Sequence, residues 1–239
     1  MGANAQTSVP AFVTGQVLTA QQQTEINTGI PVFATTVTRD AAFGGTGEKT
    51  LAQGQYAYIE ATSTLQVYTG SAWVNAGSLV LTGSGTAAGT ATTLSIDNCF
   101  STNYANYMIW VDMTSAASAN HTIRMRVGGS DNTTASYLSE YTYWIYGGAT
   151  GRIGAFSNTS FTLLGSTTRS YGAINIINPF ATAITTWRGL FNGLDVGTTP
   201  LATTNSGYFN ATTSFDGLSY ISSSGNLTGT IRVYGLANS

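Results

Sequence analysis

Short alternations of apolar and polar side chains run through the second half of the chain, from residue 107 to residue 236. One of them places His121, Ile123 and Met125 on one face and Arg124 and Arg126 on the other, which is typical of a half-buried antiparallel strand. Similar runs recur at intervals of about 8–12 residues without helical periodicity between them. They predict strands at residues 107–113, 121–127, 136–146, 160–164, 171–177, 185–191, 218–222 and 227–236. The pattern therefore predicts an all-β chain whose main domain is a jelly-roll-like antiparallel β-sandwich.

The beginning of the chain has a different pattern, which predicts an N-terminal arm with one short helix over residues 1–34. Its first residues are small and polar and show no periodicity. Thr19 and Gln22 have the spacing of a capping box, which predicts a helix over residues 20–28. Pro31 then favours an extended backbone.

Residues 35–78 predict a small β-hairpin module, because strand-like runs at 55–60 and 64–68 are separated by a short connection. A hairpin of this size buries little apolar surface alone, so we expect it to pack against other copies of the chain or the next domain. The stretch 78–89 is rich in Gly, Ser, Thr and Ala, a composition typical of a linker. The β-sandwich domain is therefore predicted to cover residues 79–239.

Composition limits the classes of partner. Charged residues make up 8% of the chain and the formal net charge is -2, so we expect no broad basic face and no nucleic-acid partner. No apolar run approaches the ~18 residues of a membrane span, and the N-terminus lacks the pattern of a signal peptide. Cys99 is the one cysteine, which favours folding in a reducing cytoplasm without an intrachain disulfide.

The residues with catalytic chemistry are few and do not form a recognisable motif. His121 is the one histidine, and nothing in the sequence places a nucleophile beside it. Asp112, Asp131 and Glu140 are candidates for a glycosidase pair, but scattered acids produce such sets by chance. No loop has the ligand spacing of a calcium site. We therefore expect a protein that is not an enzyme, with no cofactor and no bound metal.

Aromatic residues form the one cluster that indicates binding. Tyr137, Tyr141, Tyr143 and Trp144 lie within one predicted strand. Exposed aromatic rings stack on sugars and also anchor subunit contacts. Packing in the core or at a subunit contact is favoured, with glycan binding as the alternative.

Six segments of the first third of the chain follow a pattern of fixed positions: 8–12 (SVPAF), 15–20 (GQVLTA), 29–34 (GIPVFA), 39–51 (RDAAFGGTGEKTL), 54–59 (GQYAYI) and 65–73 (LQVYTGSAW). In this pattern, the first third of the chain resembles the N-terminal module of tailed-bacteriophage virion appendage proteins. Segments 214–218 and 225–236 are similar, more weakly, to the closing strands of phage β-sandwich domains.

The resemblance implies a structural protein on the virion surface, made in the bacterial cytoplasm, whose N-terminal region docks on other virion proteins and which forms a homotrimer. A capsid decoration or head-fibre protein is slightly favoured, because no shaft repeat is present; a tail-fibre or tail-tip protein that binds host glycans is the alternative. The rarity of charge further indicates that Arg39 and Asp40 lie at a contact between subunits or modules. The residues expected to dock are Phe12, Leu18, Pro31, Phe33, Arg39, Asp40, Phe43 and Trp73.

Overall fold

A computed structural model describes residues 9, 11–20, 22–23, 29–46, 48–77, 79–148, 150–195 and 199–236. These residues are almost entirely β-structure, which confirms the predicted all-β class. The chain divides into two compact units, residues 1–78 and 79–239. Within the described residues, no helix has the length and apolar character needed to span a membrane.

The first unit is a small mixed sheet with one short helix. The helix α1 covers Thr36–Asp40 and begins with a capping box, in which Thr35 and Thr38 each accept a hydrogen bond from the backbone of the other. The sheet has the order β1-β2-β3-β4, with β1 parallel to β2 and the other pairs antiparallel. Its strands are β1 (Val32–Phe33), β2 (Tyr56–Ile59), β3 (Thr64–Tyr68) and β4 (Trp73–Asn75), with a 3-10 turn at Glu60–Thr62.

The hairpin of the first unit buries its inner face within its own chain. Val9 and Phe33, from the predicted arm, pack with Ala42, Ala57 and Ile59 in one small core. The backbone N–H of Val9 donates to the carbonyl of Ala42 at 3.1 Å, and its own carbonyl accepts from Lys49 at 2.7 Å. The predicted boundary at residue 34 therefore does not separate two packing units, because residues on both sides of it complete one core.

The predicted N-terminal capping box is present. The backbone N–H of Thr19 donates to Oε1 of Gln22 at 3.0 Å, and the N–H of Gln22 donates to Oγ1 of Thr19 at 3.2 Å. The remainder of the helix predicted for residues 20–28 lies mostly outside the described residues, and the part of the arm before Val9 lies wholly outside them.

The second unit is built from long antiparallel strands. They are β5 (Leu79–Ala88), β6 (Thr93–Ile96), β7 (Asn106–Val127), β8 (Ser130–Asp131), β9 (Tyr137–Ile145), β10 (Thr150–Asn158), β11 (Phe161–Ile177), β12 (Thr185–Asp195), β13 (Pro200–Phe209), β14 (Gly217–Ser222) and β15 (Leu227–Leu236). The predicted linker at residues 78–89 is in fact mostly strand β5, which pairs along its length with β15.

Two layers share strands β7 and β11. The larger layer has the order β10-β9-β13-β12-β11-β7-β15-β5, and it uses the first part of β7 and the second part of β11. The smaller layer has the order β11-β7-β14-β6 and uses the remaining parts of the same two strands. Three register shifts between Thr162 and Arg169 mark the bend in this pairing. Both layers thus belong to one continuous sheet that folds back on itself.

One apolar core fills the space between the layers. Phe161 of the smaller layer stacks on Trp187 of the larger one, with ring centroids 4.2 Å apart. Tyr137 lies edge-on to Phe209 at 4.9 Å, and Phe209 lies edge-on to Phe215 at 5.0 Å. The inner side chains of the larger layer therefore pack in this core, and the opposite face of the layer is exposed to solvent.

Glycines in β11 and β10 provide a test of this packing. A Cβ atom on Gly172 would lie 2.1 Å from the carbonyl oxygen of Leu190, whereas nothing lies within 4 Å of a Cβ atom on Gly154. We expect Gly172→Ala to lower the free energy of unfolding of the second unit by about 1–3 kcal/mol, because backbone must move. Gly154→Ala should change it by less than about 0.5 kcal/mol. Urea unfolding measures both variants, and equal effects would contradict the pairing of β11 with β12.

Candidate functional site

The predicted docking residues of the first unit differ in exposure, from the buried Phe33 to the exposed Phe12. Phe33 is fully buried, and its ring contacts Phe43 at 6.1 Å. Phe43 in turn contacts Trp73, with centroids 6.0 Å apart. Leu18 and Pro31 are half-buried. Phe33 is therefore a core residue rather than a surface contact, because its side chain has no access to a partner.

Arg39 makes a set of polar contacts within its own chain. Its Nε and Nη2 atoms donate to Oδ1 of Asp40 at 2.9 and 2.6 Å, and Nη1 donates to the side chain of Gln66. The guanidinium lies 4.7 Å from the ring centroid of Trp73, and the residue is only 6% exposed. Arg39 therefore fixes α1 on the sheet within the first unit, and a contact of Arg39 and Asp40 with another subunit or module stays a prediction. Asp40 is exposed and stays available to solvent.

Two apolar surfaces of the first unit are exposed. Phe12, Val13 and Val17 precede the compact part of the unit, and Val17 is 89% exposed. The outer face of the sheet, which we call the outer apolar face, is formed entirely by apolar and aromatic side chains that are half-buried or exposed. In the strand register, its members are Tyr56, Tyr58, Leu65, Val67 and Val74. Contiguous apolar patches of this kind mark contact sites.

In the second unit, the predicted aromatic cluster is divided between two faces. Tyr137 is fully buried, and its hydroxyl accepts from the N–H of Met125 at 3.0 Å and donates to the carbonyl of Asn132 at 3.1 Å. Burial raises the pKa of Tyr137. Tyr141 and Tyr143 point to the same inner side and are half-buried. Tyr137 is therefore a structural residue, and Trp144 alone points to the outer face.

The outer face of the larger layer carries exposed aromatic residues that the sequence analysis did not single out. Residues directly opposite each other in antiparallel strands project to the same face. The register places Asp112, Tyr171, Asn192, Ala202 and Trp144 in one row across five strands.

The next row of this face contains a second tryptophan. It consists of Arg232, Trp110, Ala173, Leu190 and Thr204. Trp110 is 56% exposed, although a tryptophan usually loses most of its accessible surface on folding. Alternation along β7 and β11 would have revealed both rows, because the inner positions are filled by apolar core residues.

Two adjoining grooves lie on this face. The first, of about 510 Å³, is lined by Trp110, Asp112, Arg169, Tyr171, Leu190 and Asn192. The second, of about 440 Å³, shares Arg169, Tyr171 and Asn192 with the first and is completed by Trp144, Tyr146, Leu194 and Pro200. We call the two together the aromatic groove. The guanidinium of Arg169 lies over the ring of Tyr171 at 4.6 Å and forms the wall that both parts share.

The candidate carboxylates do not come together. Asp131 pairs with Arg126 at 2.6 Å and with Arg124 at 3.5 Å, and it also accepts from the Ser219 hydroxyl. Asp112 lies on β7 and Glu140 on β9, four strand spacings of about 4.8 Å apart. That separation exceeds the reach of a glycosidase pair. In the described part of the chain, no group of three metal-ligating side chains is present either.

His121 is buried in the interior of the second unit. Its Nε2 atom donates to the carbonyl oxygen of Thr167 at 3.0 Å, and its ring lies 5.6 Å from that of Tyr220. Burial lowers the pKa of His121, and the hydrogen bond to Thr167 opposes this shift only partly. A fully buried imidazole has no contact with external substrate.

No model of a known protein family matches the chain, and no curated protein gives a significant match. A function must therefore be argued from the geometry of the described residues.

The buried His121 predicts a specific pH dependence. Since the folded-state pKa lies below the unfolded value of 6.5, the unfolded chain binds more protons between these two values. The free energy of unfolding of the second unit should be highest above pH 6.5 and should decrease as the pH drops below this value. Urea midpoints measured between about pH 5 and 8 test this. As the control, His121→Gln should abolish the slope, because the chain has one histidine; a slope retained in that variant would contradict the assignment.

Proposed function

We propose that this chain is an oligomeric surface appendage of a tailed-bacteriophage virion and attaches to the particle through its first unit. The observation that carries the proposal is the outer apolar face of Tyr56, Tyr58, Leu65, Val67 and Val74, on a unit whose core is already complete. An apolar face of this kind is stabilised when another protein covers it. The resemblance of the first third of the chain to virion appendage modules supports the same function.

Within this proposal, the outer apolar face contacts other copies and the preceding segment contacts the particle. Phe12, Val13 and Val17 belong to a stretch whose described backbone makes few contacts with the rest of the unit. Segments of this kind become ordered on the surface that they bind. Because the two surfaces consist of different residues, a trimer formed through one of them could still attach through the other.

A capsid-decorating or head-fibre protein is the favoured form of this proposal. A particle-bound decoration needs no shaft, and the second unit begins with β5 at Leu79, directly after the first unit. A tail-fibre or tail-tip protein that binds host glycans is the second candidate. The aromatic groove favours it, because the exposed Trp110 and Trp144 serve no purpose in the core.

We expect light scattering on the purified protein to give three times the 24.9 kDa mass of one chain. Leu65→Lys with Val74→Lys should dissociate the trimer, because two charges would be buried in an apolar contact. Val37→Lys is the matched control, since Val37 is 75% exposed on α1 and lies outside the outer apolar face. A stable monomer of the unaltered protein at micromolar concentration would contradict the proposal.

Attachment is tested with particles that lack the protein. We expect the purified chain to bind them and to be located on the head by immunogold electron microscopy. Replacing Phe12, Val13 and Val17 by Ser should abolish binding without changing the trimer, because these side chains lie outside the core. Ile184→Ser in the second unit is the control, since it also removes an exposed apolar side chain. Full binding by the triple variant would show that another surface of the chain docks on the particle. Labelling of the tail would favour a tail-fibre or tail-tip protein.

A further inference from the structure

We infer that the aromatic groove of the second unit binds an acidic oligosaccharide. This inference gives a ligand class to the glycan-binding form of the proposed function and rests on it. The groove differs from the cluster expected from sequence, of which only Trp144 lies on its lining.

The aromatic side chains provide surfaces for sugar rings. Trp110 and Tyr171 line the first part of the groove, and Trp144 and Tyr146 line the second. Trp110 lies on β7 and Trp144 on β9, so about four strand spacings, or roughly 19 Å, separate them. An extended chain of several sugar rings would contact both ends, with apolar C–H faces stacked on the aromatic rings.

Polar side chains between the rings suit hydroxyl groups. Asp112 and Asn192 line the first part of the groove and lie on either side of Tyr171 in one row. A carboxylate accepts hydrogen bonds from hydroxyls, and an amide both donates and accepts. Asp112 has no ion pair with the described side chains, so its oxygens are available to a ligand.

Three arginines indicate that the ligand is acidic. Arg169 lines the groove, Arg232 is opposite Trp110, and Arg188 is two residues from Leu190 on the same face. None of the three forms an ion pair within the described part of the chain. The guanidinium fork binds carboxylate groups through paired hydrogen bonds. Acidic groups on a polyhydroxylated chain would match both the arginines and the hydrogen-bonding residues between them.

Charge argues against two other occupants. A second copy docked symmetrically on this face would bring the unpaired arginines together, which opposes association. A nucleic acid carries a phosphate on every unit, and Asp112 within the groove repels this density of negative charge. The chain as a whole has a net charge of -2. An oligosaccharide with separated acidic groups is compatible both with the unpaired arginines and with Asp112.

The test is titration of the full-length protein with three acidic probes: tetragalacturonate, tetramannuronate and a sialylated oligosaccharide. Tryptophan fluorescence and calorimetry measure binding. We expect saturable binding of at least one probe, at least about tenfold tighter than that of neutral cellotetraose, and weaker at high salt. Trp110→Ala and Arg169→Gln should each weaken it at least about tenfold. Arg152→Gln is the matched control, because Arg152 lies on the same face but pairs with Glu140 at 3.4 Å.

Several outcomes would overturn the inference. They are absence of saturable binding for all three probes, equal binding of the neutral probe, unchanged binding in both groove variants, or tighter binding of a single-stranded oligonucleotide. Loss of the trimer in Trp110→Ala would identify the groove as a subunit contact instead. Because titration uses purified protein without particles, its failure is distinguishable from a failure of virion attachment.

Discussion

Backbone pairing along β7 and β11 is the constraint on which the second unit depends. Each strand contributes one part to the larger layer and the other part to the smaller layer, and the register shifts between Thr162 and Arg169 make the change possible. The same hydrogen-bonded pair therefore holds both layers and sets their separation. Because side chains alternate along a strand, this pairing also decides which residues enter the core and which remain outside.

The outer face that this alternation produces carries the lining of the aromatic groove. Ile109, Val111 and Met113 enter the core from β7, so Trp110 and Asp112 between them must point outward. Tyr171 follows the same rule on β11, opposite Asp112. The aromatic groove is thus a consequence of strand register, and a shift by one residue would exchange its lining with the core.

The sequence predicted the class of fold better than its connections or its site. Alternation identified both parts of β7 but not their continuity, because the segment around Ala117 at the bend is small and polar. Strand β5 has the turn-like composition of a linker, and it is extended because it pairs with β15, which composition does not predict. In its site predictions, the sequence grouped Tyr143 with Trp144 by proximity, although neighbours on a strand face opposite sides. The contacts of Arg39 with Gln66 and Trp73 could not be predicted, because they depend on how α1 packs on the sheet.

Scarcity of charge makes the position of each cation informative. The chain has eight basic residues, and five of them form hydrogen bonds or ion pairs with side chains or carbonyls of the described residues. Those five are Arg39, Lys49, Arg124, Arg126 and Arg152. The other three, Arg169, Arg188 and Arg232, share one face and form no ion pair with the described side chains. Exposed, unpaired arginines add little to folding stability, since water solvates them in both states. Folding stability therefore does not account for their grouping beside exposed tryptophans, which is the observation that supports the inferred ligand.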